Sequence, residues 1–469
     1  MRLTKIQGWY QKISPVRFFI IAAAASGLLF MALTPPFQTP DEPVHFLRAY
    51  QISEFNFTVD RIPGGYGGKL PSSLGSTIDL TANHPSLSFW PNQKYNERKT
   101  VVALRQRLKP AKETSYDFTS TAGYSPIVYV PQSLSILLGR LLRMPPMVLL
   151  YLAKLANLTT WIVLGVLAIR LIPRKKWAVV FIALLPMAIF QSISLGADVM
   201  TIGLVMLFLA YILHLSAADK ILSRKQLLLL LALAIAVVLT KQIMFVFLPL
   251  LFLIPLRLFS ATKHRYSKLA LLIGVPLIVY TGWSLVNHIS TAGKMPNGAV
   301  PASQIHFILH NPWSFINVLW NTYFFTWGDT ITRSFIGSFG WVDAPLAEWI
   351  VAAGYAAMGF VLAASYKAEQ VRQWFSRGQK LLILTVGVLY WLATSAALYV
   401  YYSPVGFKII VGLQGRYFLP VLPLAVLLLY GKQVVVTERL YKKIAVYAPI
   451  FLLTASAITI YVRYYINNV

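Results

Sequence analysis

Long apolar runs constrain the fold of this chain more than any other feature. Eleven stretches have about the length and apolar content needed to cross a bilayer as a helix. They lie at 16–34, 147–170, 177–196, 199–216, 226–241, 243–259, 269–289, 347–366, 381–400, 416–431 and 444–465. Hydrophobic residues make up 57% of the 469 residues and charged residues only 12%, about half the charged fraction of a soluble protein. The pattern predicts an all-α polytopic membrane protein and excludes an ordinary soluble enzyme, a disordered chain and a coiled coil.

The charge balance is strongly basic, with a net charge of +27 from 42 basic and 15 acidic residues. In a soluble protein such a balance would indicate nucleic acid as the partner. Here the basic residues separate apolar runs, so we expect membrane topology and contacts with membrane lipids instead, and no nucleic acid partner. The chain has no cysteine, which excludes disulfides, iron–sulfur clusters and thiolate zinc sites.

The segment 125–143 decides the predicted orientation. It is apolar but is interrupted by Pro131, Gln132, Arg140 and Arg143. If it lies flat as an interfacial helix, more than half of the basic residues fall in short segments on one side of the membrane. Those segments are the N-terminus, 170–176, 217–225, 257–268, 367–380 and 431–443. Because short basic loops stay in the cytoplasm, we predict an interfacial helix, a cytoplasmic N-terminus and an external C-terminus in the cytoplasmic (inner) membrane.

Two long external segments follow from this topology, at 35–146 and 290–346. Both are rich in Pro, Gly and aromatic residues, which is typical of half-submerged interfacial helices and loops. No A-x-A cleavage site follows the first apolar run, so we expect an uncleaved anchor. The sequence shows no internal repeat. We therefore predict one membrane domain over 1–469 that carries an external cap.

The densest cluster of ionisable residues near a predicted span follows the first span, 16–34. Asp41, His45 and Arg48 have i, i+4, i+7 spacing, so a helix would place them on one face. A structural reading competes with a functional one, since Thr39, Pro40 and Glu42 match a capping box. Capping explains Glu42 better than it explains a carboxylate, an imidazole and a guanidinium sharing one face. We therefore take Asp41, Glu42 and His45 as candidate catalytic residues.

Three further charged residues lie between apolar runs on the same predicted side. Asp198 lies between two spans with almost no loop, where an ionisable group marks a function, a paired charge or a helix cap. Lys241 is either a phosphate ligand or a snorkelling interfacial lysine. Arg416 lies on the face that the positive-inside rule disfavours. It is either an interfacial anchor or a bidentate phosphate ligand.

Other candidate residues carry weaker signals. Gln414 and Tyr417 flank Arg416 and are grouped with it as candidate phosphate ligands. His84 in the first external segment and Tyr124 before the interfacial helix are candidate contacts to an acceptor. No Ser/His/Asp arrangement, P-loop or H-E-x-x-H motif is present, so hydrolase, nucleotide-driven and zinc-protease functions have no motif support.

Four motifs carry a resemblance to a family of bacterial multispanning membrane proteins in the GT-C glycosyltransferase superfamily. They are PDEPVHFLRAYQ at 40–51, YSPIVY at 124–129, GAD at 196–198 and QGRYFLP at 414–420. The first and last are fairly specific, and the set spans nearly the whole chain in order. The resemblance implies a reaction class, without naming the sugar or the acceptor.

GT-C membership would imply a membrane enzyme that takes a sugar from a polyprenyl-phosphate donor and passes it to an acceptor on the outer face. The acidic residue of the first outer loop, matched here by Asp41, would be the base. The acidic residue of the next loop, matched by Asp198, would assist a metal or the acceptor. An interfacial helix after the first loop is also a feature of the superfamily. Since Glu42 adjoins Asp41, which of the two carboxylates acts stays open.

The chemistry of such a transfer suits these residue types. Asp41 could take the proton from the acceptor hydroxyl, and Arg416, helped by Lys241 or Arg48, could stabilise the charge on the departing phosphate. No cofactor is required; a divalent cation, if one takes part, would be held by Asp41 and Asp198. The main alternative is a lipid-linked glycan flippase or exporter, which should show polar residues in mid-span, where only Lys154 and Asn157 stand out. A membrane acyltransferase with His45 as base is a further alternative.

Overall fold

The computed structural model describes residues 9–63, 65–82, 92–288, 295–367, 375–429 and 434–466. Its α-helices, in chain order, are α1 Trp9–Lys12, α2 Pro15–Leu33, α3 Glu42–Ser53, α4 Ser72–Ala82, α5 Glu97–Leu104, α6 Val130–Leu141, α7 Pro146–Leu171, α8 Lys176–Ala183, α9 Pro186–Ser192, α10 Asp198–Ser216, α11 Arg224–Thr240, α12 His264–His288, α13 Pro301–His310, α14 Pro312–Trp320, α15 Gly328–Ile336, α16 Glu348–Ala363, α17 Arg377–Tyr402, α18 Leu422–Leu428 and α19 Glu438–Tyr465.

Six helices among the described residues are long and apolar enough to cross a membrane, namely α2, α7, α10, α12, α17 and α19. The chain is therefore an all-α polytopic membrane protein, as its apolar runs predict. α10 is the most buried of the six and α12 the least. Among these six, α10 is therefore central in the bundle and α12 is peripheral.

The other five predicted spans are helical but short or broken, and proline explains most of the breaks. The run 177–196 divides into α8 and α9 at Pro186, which begins α9. The run 243–259 forms 3-10 turns at Gln242–Leu253 and Leu256–Leu258, with Pro249 inside the first. The run 416–431 forms a 3-10 segment, Gly415–Val421, that leads into α18. Proline removes a backbone donor and crowds the preceding turn, which explains the breaks at these positions. Pro276 in α12 and Pro449 in α19 are accommodated within continuous helices.

The segment 125–143 contains a 3-10 turn, Pro126–Tyr129, and then α6. α6 has 12 residues and rises only about 18 Å, too little to cross the hydrocarbon core. Its exposed face is apolar and comprises Leu134, Leu138 and Leu141. On the opposite side, Arg140 forms an ion pair of 2.9 Å with Glu54. A short helix with an exposed apolar face fits the predicted interfacial position.

The segment 35–146, as far as it is described, folds as a cap on one end of the bundle. Strands β1 Asp60–Ile62, β2 Gly65–Pro71 and β3 Glu113–Asp117 form an antiparallel sheet in the order β1-β2-β3. α3 packs on α6, and Phe46, Tyr129 and Leu150 belong to one buried cluster. This cluster also includes Leu195 and Ala197 from the loop between α9 and α10. The cap is therefore continuous with the bundle end that carries this loop.

The segment 290–346, as far as it is described, lies against the C-terminal part of the bundle. It contains a 3-10 turn Pro296–Gly298, α13, α14, a π-helix Asn321–Thr326, α15, and the hairpin of β4 Ser338–Phe339 and β5 Ala344–Pro345. The buried pair Asp343 and Arg463, 2.5 Å apart, ties it to α19. A short parallel pair, β6 Ala364–Ser365 and β7 Val434–Val435, lies at the opposite end of α16.

Candidate functional site

Five polar residues from four distant parts of the chain meet where the cap covers the bundle. Asp41 follows α2, His45 lies in α3, Asp198 begins α10, Lys241 follows α11, and Arg416 lies in the 3-10 segment Gly415–Val421. The four charged side chains all act electrostatically on His45. We call these five residues the polar cluster. The structure thus brings together five of the eleven residues selected from the sequence.

Asp41 has an unusual backbone and a carboxylate that is not used for capping. It is the residue before α3 and adopts a left-handed conformation with φ 60°. Its side chain makes no cap hydrogen bond, and within the described part of the chain no hydrogen bond to its carboxylate is present. The side chain is half-buried. A strained non-glycine residue with an uncommitted carboxylate is typical of a functional site.

The capping box predicted from Thr39, Pro40 and Glu42 is wrong. α3 begins at Glu42, and the proline in its first turn is Pro43. The helix begins further along the chain than predicted because the left-handed backbone at Asp41 turns the chain first. Since the helix starts later, Glu42 occupies the first turn and its side chain points away from a capping position.

Glu42 is committed to a buried ion pair instead. Its Oε2 lies 3.0 Å from Nζ of Lys154 in α7, and both side chains are 0% exposed. The two atoms are not aligned for a hydrogen bond, so the contact is mainly electrostatic. A substrate has no access to this carboxylate. The structure therefore favours Asp41 over Glu42 as the candidate base.

His45 lies at the centre of the polar cluster and is neutral at physiological pH. Its Nδ1 is 2.8 Å from the hydroxyl of Tyr129. Burial lowers the pKa of His45 to about 4, and this outweighs the opposing effect of Asp41 and Asp198. A neutral imidazole can accept or donate one hydrogen bond on each nitrogen. It therefore suits orienting a neighbouring hydroxyl better than acting as a cation.

Arg48 does not join the polar cluster, so the structure gives no support to its predicted role as a phosphate ligand. Its guanidinium is fully buried and donates to the side chain of Gln51 and to the carbonyl oxygen of Phe57, the latter at 2.5 Å. These bonds hold the turn that follows α3. Residues 41, 45 and 48 share a helical spacing, but the helix begins after Asp41, so the three side chains have different surroundings.

Asp198 and Lys241 form the ion pair of the polar cluster. Nζ of Lys241 lies 2.5 Å from Oδ1 of Asp198, which excludes a purely snorkelling lysine. Asp198 lies in the first turn of α10 but does not cap it, since Ala197 is the N-cap residue. The pair joins the ends of α10 and α11 on one side of the cluster.

The loop before Asp198 is held by two polar side chains of neighbouring helices. Nδ2 of Asn157 in α7 donates to the carbonyl oxygen of Ser194 at 2.5 Å. Nε2 of Gln132 in α6 donates to the carbonyl oxygen of Leu195 at 3.3 Å. Lys154 therefore contacts the residue that follows Asp41, and Asn157 holds the loop that precedes Asp198.

Arg416 is buried, yet few of its donors have a partner. It is 6% exposed. Its Nη2 lies 3.4 Å from the hydroxyl of Tyr417, the only hydrogen bond of its side chain within the described residues, and its Nε has no partner there. Tyr417 also places its ring 5.5 Å from Nζ of Lys241. A buried guanidinium with unmet donors is costly unless a ligand supplies an acceptor.

The residues around Arg416 explain part of the QGRYFLP motif. The backbone N–H of Gly415 donates to Oγ of Ser334 at 2.7 Å, and a Cβ at this position would collide with backbone atoms of Ile331 and Phe335 in α15. Glycine is therefore required for this close approach. Gln414 is half-buried, and its carbonyl oxygen accepts from the backbone N–H of Tyr417.

Tyr124, a candidate acceptor contact, borders the polar cluster. Its ring centroid lies 5.9 Å from that of His45, and burial raises the pKa of Tyr124 although Lys241 opposes this effect. Ser125 donates to the carbonyl oxygen of Leu239 at 2.7 Å and so fixes this segment to the end of α11. His84 lies outside the described residues.

The two carboxylates of the polar cluster, Asp41 and Asp198, are the residues that would hold a divalent cation if one took part. Asp198 is already paired with Lys241, and in the parts of the chain that are described no three His, Asp or Glu side chains gather as metal ligands. A cation at Asp198 would have to displace the lysine ammonium. We therefore derive no step through a metal.

Two aromatic residues near the polar cluster were not selected from the sequence. Tyr129 contacts His45 and lies in the YSPIVY motif, so the motif could have identified Tyr129 as a candidate site residue. Tyr402, at the end of α17, is close enough to Asp41 and Arg416 to be affected by their charges. Gly412, with φ 75°, lies against its ring, where a Cβ would be 3.2 Å away. The chain has 25 tyrosines, and no sequence signal separates Tyr402 from the other 24.

The fold and the polar cluster together define a polytopic membrane protein with a buried ionic site at one end of its helical bundle. The family model DUF2142, described as a predicted membrane protein, matches residues 25–425. The chain therefore belongs to this family, and the matched range includes every residue of the polar cluster. Neither a curated protein nor a solved structure matches the chain.

Proposed function

We propose that the protein is a GT-C-type membrane glycosyltransferase. It moves a sugar from a polyprenyl-phosphate donor to a cell-envelope glycan or a lipid-linked acceptor on the outer face of the cytoplasmic membrane. The observation that carries this proposal is that one site holds both a half-buried carboxylate and a buried guanidinium. Asp41 has no hydrogen bond to its carboxylate in the described chain, and Nε of Arg416 has no partner among the described residues. A base and an anion ligand are thus both free within one site.

The transfer is a single displacement. The acceptor hydroxyl attacks the anomeric carbon, and its proton passes to Asp41 while the bond between that carbon and the phosphate oxygen breaks. The products are the glycosylated acceptor, with inverted anomeric configuration, and polyprenyl phosphate. Arg416 and the hydroxyl of Tyr417 stabilise the growing negative charge on the phosphate. Neutral His45 orients the acceptor.

The proposed membrane arrangement has eleven spans, a cytoplasmic N-terminus and the polar cluster on the outer side. All the loops that supply the cluster belong to the predicted outer side, and the basic loops belong to the other. This assignment is supported by charge distribution and by the interfacial position that suits α6. It places the reactive bond of a lipid-phosphate donor at headgroup depth.

A flippase would need polar side chains along a path through the bundle. The two polar residues of α7 that could have served such a path are engaged elsewhere, Lys154 by Glu42 and Asn157 by the carbonyl oxygen of Ser194. Their engagement favours surface chemistry over passage. The test below separates the two functions.

Mass spectrometry of envelope glycans and lipid-linked intermediates in wild-type and gene-deleted cells tests the proposal. A transferase predicts that one sugar disappears from the glycan while its polyprenyl-phosphate donor persists or accumulates on the outer leaflet. Accumulation of a lipid-linked glycan on the inner leaflet alone would contradict transfer and support a flippase. Unchanged glycans and intermediates would contradict both.

A further inference from the structure

α5 exposes a face that is apolar in its middle and basic at both ends. Four residues with i, i+3, i+4, i+7 spacing share this face, namely Arg98, Val101, Val102 and Arg105. Arg105 follows the last residue of the helix and keeps a helical backbone. Val101 is 49% exposed and Val102 is 54% exposed, and both arginines are exposed. Arginines in this position can lay their methylene stems on a membrane surface while their charges stay among the headgroups.

The chain that follows α5 extends this basic surface. Its side chains alternate between the cap and solvent. The side-chain oxygen of Gln106 accepts from the hydroxyl of Thr77 at 2.7 Å, and Leu108 packs on the buried cluster of the cap. Between and after these two anchored residues, Arg107 and Lys109 are exposed. The alternation therefore holds both cations on the outer surface of the cap, next to the end of α5.

The positive charges of this surface are not used within the protein. Five exposed basic side chains form no ion pair and no hydrogen bond in the part of the chain that is described, namely Arg98, Arg105, Arg107, Lys109 and Lys112. We call these five residues, together with Val101 and Val102, the basic edge. Cations of one sign that lie close together attract an anionic partner. The basic edge therefore combines exposed apolar area with unpaired positive charge.

The basic edge lies beside the start of a spanning helix. α5 packs against α7, which is long and apolar enough to cross a membrane. Ala103, on the inner side of α5, belongs to the same buried cluster as three residues of the first two turns of α7, namely Met147, Leu149 and Leu150. α6, whose exposed face is apolar, ends four residues before α7 begins. This position places the basic edge at the depth of the lipid headgroups.

We propose that the basic edge binds anionic phospholipids of the leaflet on the cap's side of the membrane. Val101 and Val102 enter the interface, and the basic side chains contact the lipid phosphates. Binding of such a surface increases with its buried apolar area and with the negative charge of the lipid. A soluble polyanion would match the charges but would leave the two valines in water.

The inference goes beyond the proposed function and does not depend on it. It concerns a surface outside the polar cluster, and its test involves no sugar transfer. It also differs from what the charge distribution alone predicts, since the short basic loops lie on the opposite side of the membrane from the cap.

An environment-sensitive fluorophore on Val102→Cys tests the proposal, since the chain has no other cysteine. The full-length protein is placed in phosphatidylcholine nanodiscs with increasing fractions of phosphatidylglycerol. Emission of a nitrobenzoxadiazole label should move to shorter wavelength as that fraction rises. Arg105→Gln/Arg107→Gln should raise the fraction that gives half of the shift at least about 10-fold. Arg61→Gln/Lys408→Gln removes two exposed cations outside the basic edge and should leave that fraction within about 2-fold of its original value.

Hydrogen–deuterium exchange of the wild-type protein gives a second measurement without a substitution. The amides of α5 should exchange more slowly in nanodiscs that contain phosphatidylglycerol than in pure phosphatidylcholine. The difference should shrink in 1 M salt, where the screening length falls to about 3 Å. Equal exchange in both lipids, or an unchanged fluorescence response in Arg105→Gln/Arg107→Gln, would overturn the proposal. An equal fluorescence response to soluble polyphosphate in pure phosphatidylcholine would also overturn it and would identify a polyanion surface instead.

Discussion

Two adjacent carboxylates, Asp41 and Glu42, have opposite environments. The left-handed backbone at Asp41 turns the chain so that one carboxylate faces the polar cluster and the other faces Lys154. One is half-buried with no hydrogen bond in the described chain, and the other is fully buried in an ion pair. Their sequence proximity therefore says little about their roles.

Glu42→Gln is expected to destabilise the protein by about 3–5 kcal/mol, because it leaves the Lys154 ammonium buried without a counter-charge. Thermal unfolding in detergent should show the loss. Adding Lys154→Met should recover much of it, while Asp41→Asn should unfold like wild type. A stable but inactive Glu42→Gln would instead make Glu42 the base.

The lowered pKa of His45 predicts that the stability of the fold depends on pH. Its folded pKa is about 4, below the value near 6.5 expected for an unfolded chain. Between these values the unfolded state binds the proton first, so stability falls as pH decreases from 6.5 to 4, by about 3 kcal/mol in total. Thermal unfolding across this range should show the loss in wild type and a smaller one in His45→Gln. An equal loss in both proteins would refute the assignment to His45.

At the scale of elements, the structure shows how helices position loops. α7 supplies Lys154 to the loop of Asp41 and Asn157 to the loop of Asp198. α15 supplies the close contact at Gly415 that places Arg416. Rigid helices thus fix the polar cluster through a few buried polar contacts.

Asn157→Leu is expected to lower the rate of transfer by about 100-fold, since a misplacement of about 1 Å in a site costs that much. The loss of the bond to the Ser194 carbonyl oxygen frees the loop before Asp198. Thr159→Leu, at an exposed position of the same helix, is the control and should retain activity. Equal activity of the two variants would show that the loop needs no such support.

The apolar runs predicted the helical elements well because burial in a bilayer requires long apolar helices. Their lengths were less predictable, since Pro186, Pro249 and Pro420 break runs that composition alone makes continuous. The polar cluster was predicted in large part because charged residues beside apolar runs are rare. The surroundings of Arg48 and the lack of a capping box were not predicted, because both depend on where α3 begins. That start depends on the backbone at Asp41, which the spacing of residues does not reveal.

At the scale of the whole molecule, the absence of cysteine makes the membrane orientation directly measurable. Ser76→Cys lies in α4 of the cap, and Ala261→Cys lies before α12; both positions are exposed. A membrane-impermeant maleimide should label the first in intact spheroplasts and the second only after permeabilisation. The reverse pattern would place the polar cluster in the cytoplasm and contradict the proposed topology.

In the proposed function, Asp41 is the base of a sugar transfer at the outer face. The most direct test is envelope glycan mass spectrometry in the gene-deleted strain complemented at equal expression with wild type, Asp41→Asn or Asp79→Asn. Asp79 is an exposed carboxylate in the same external segment and serves as the control. We expect Asp41→Asn to lower transfer by about 100- to 10,000-fold, so that the sugar stays missing, and Asp79→Asn to restore it. Full restoration by Asp41→Asn would contradict the account.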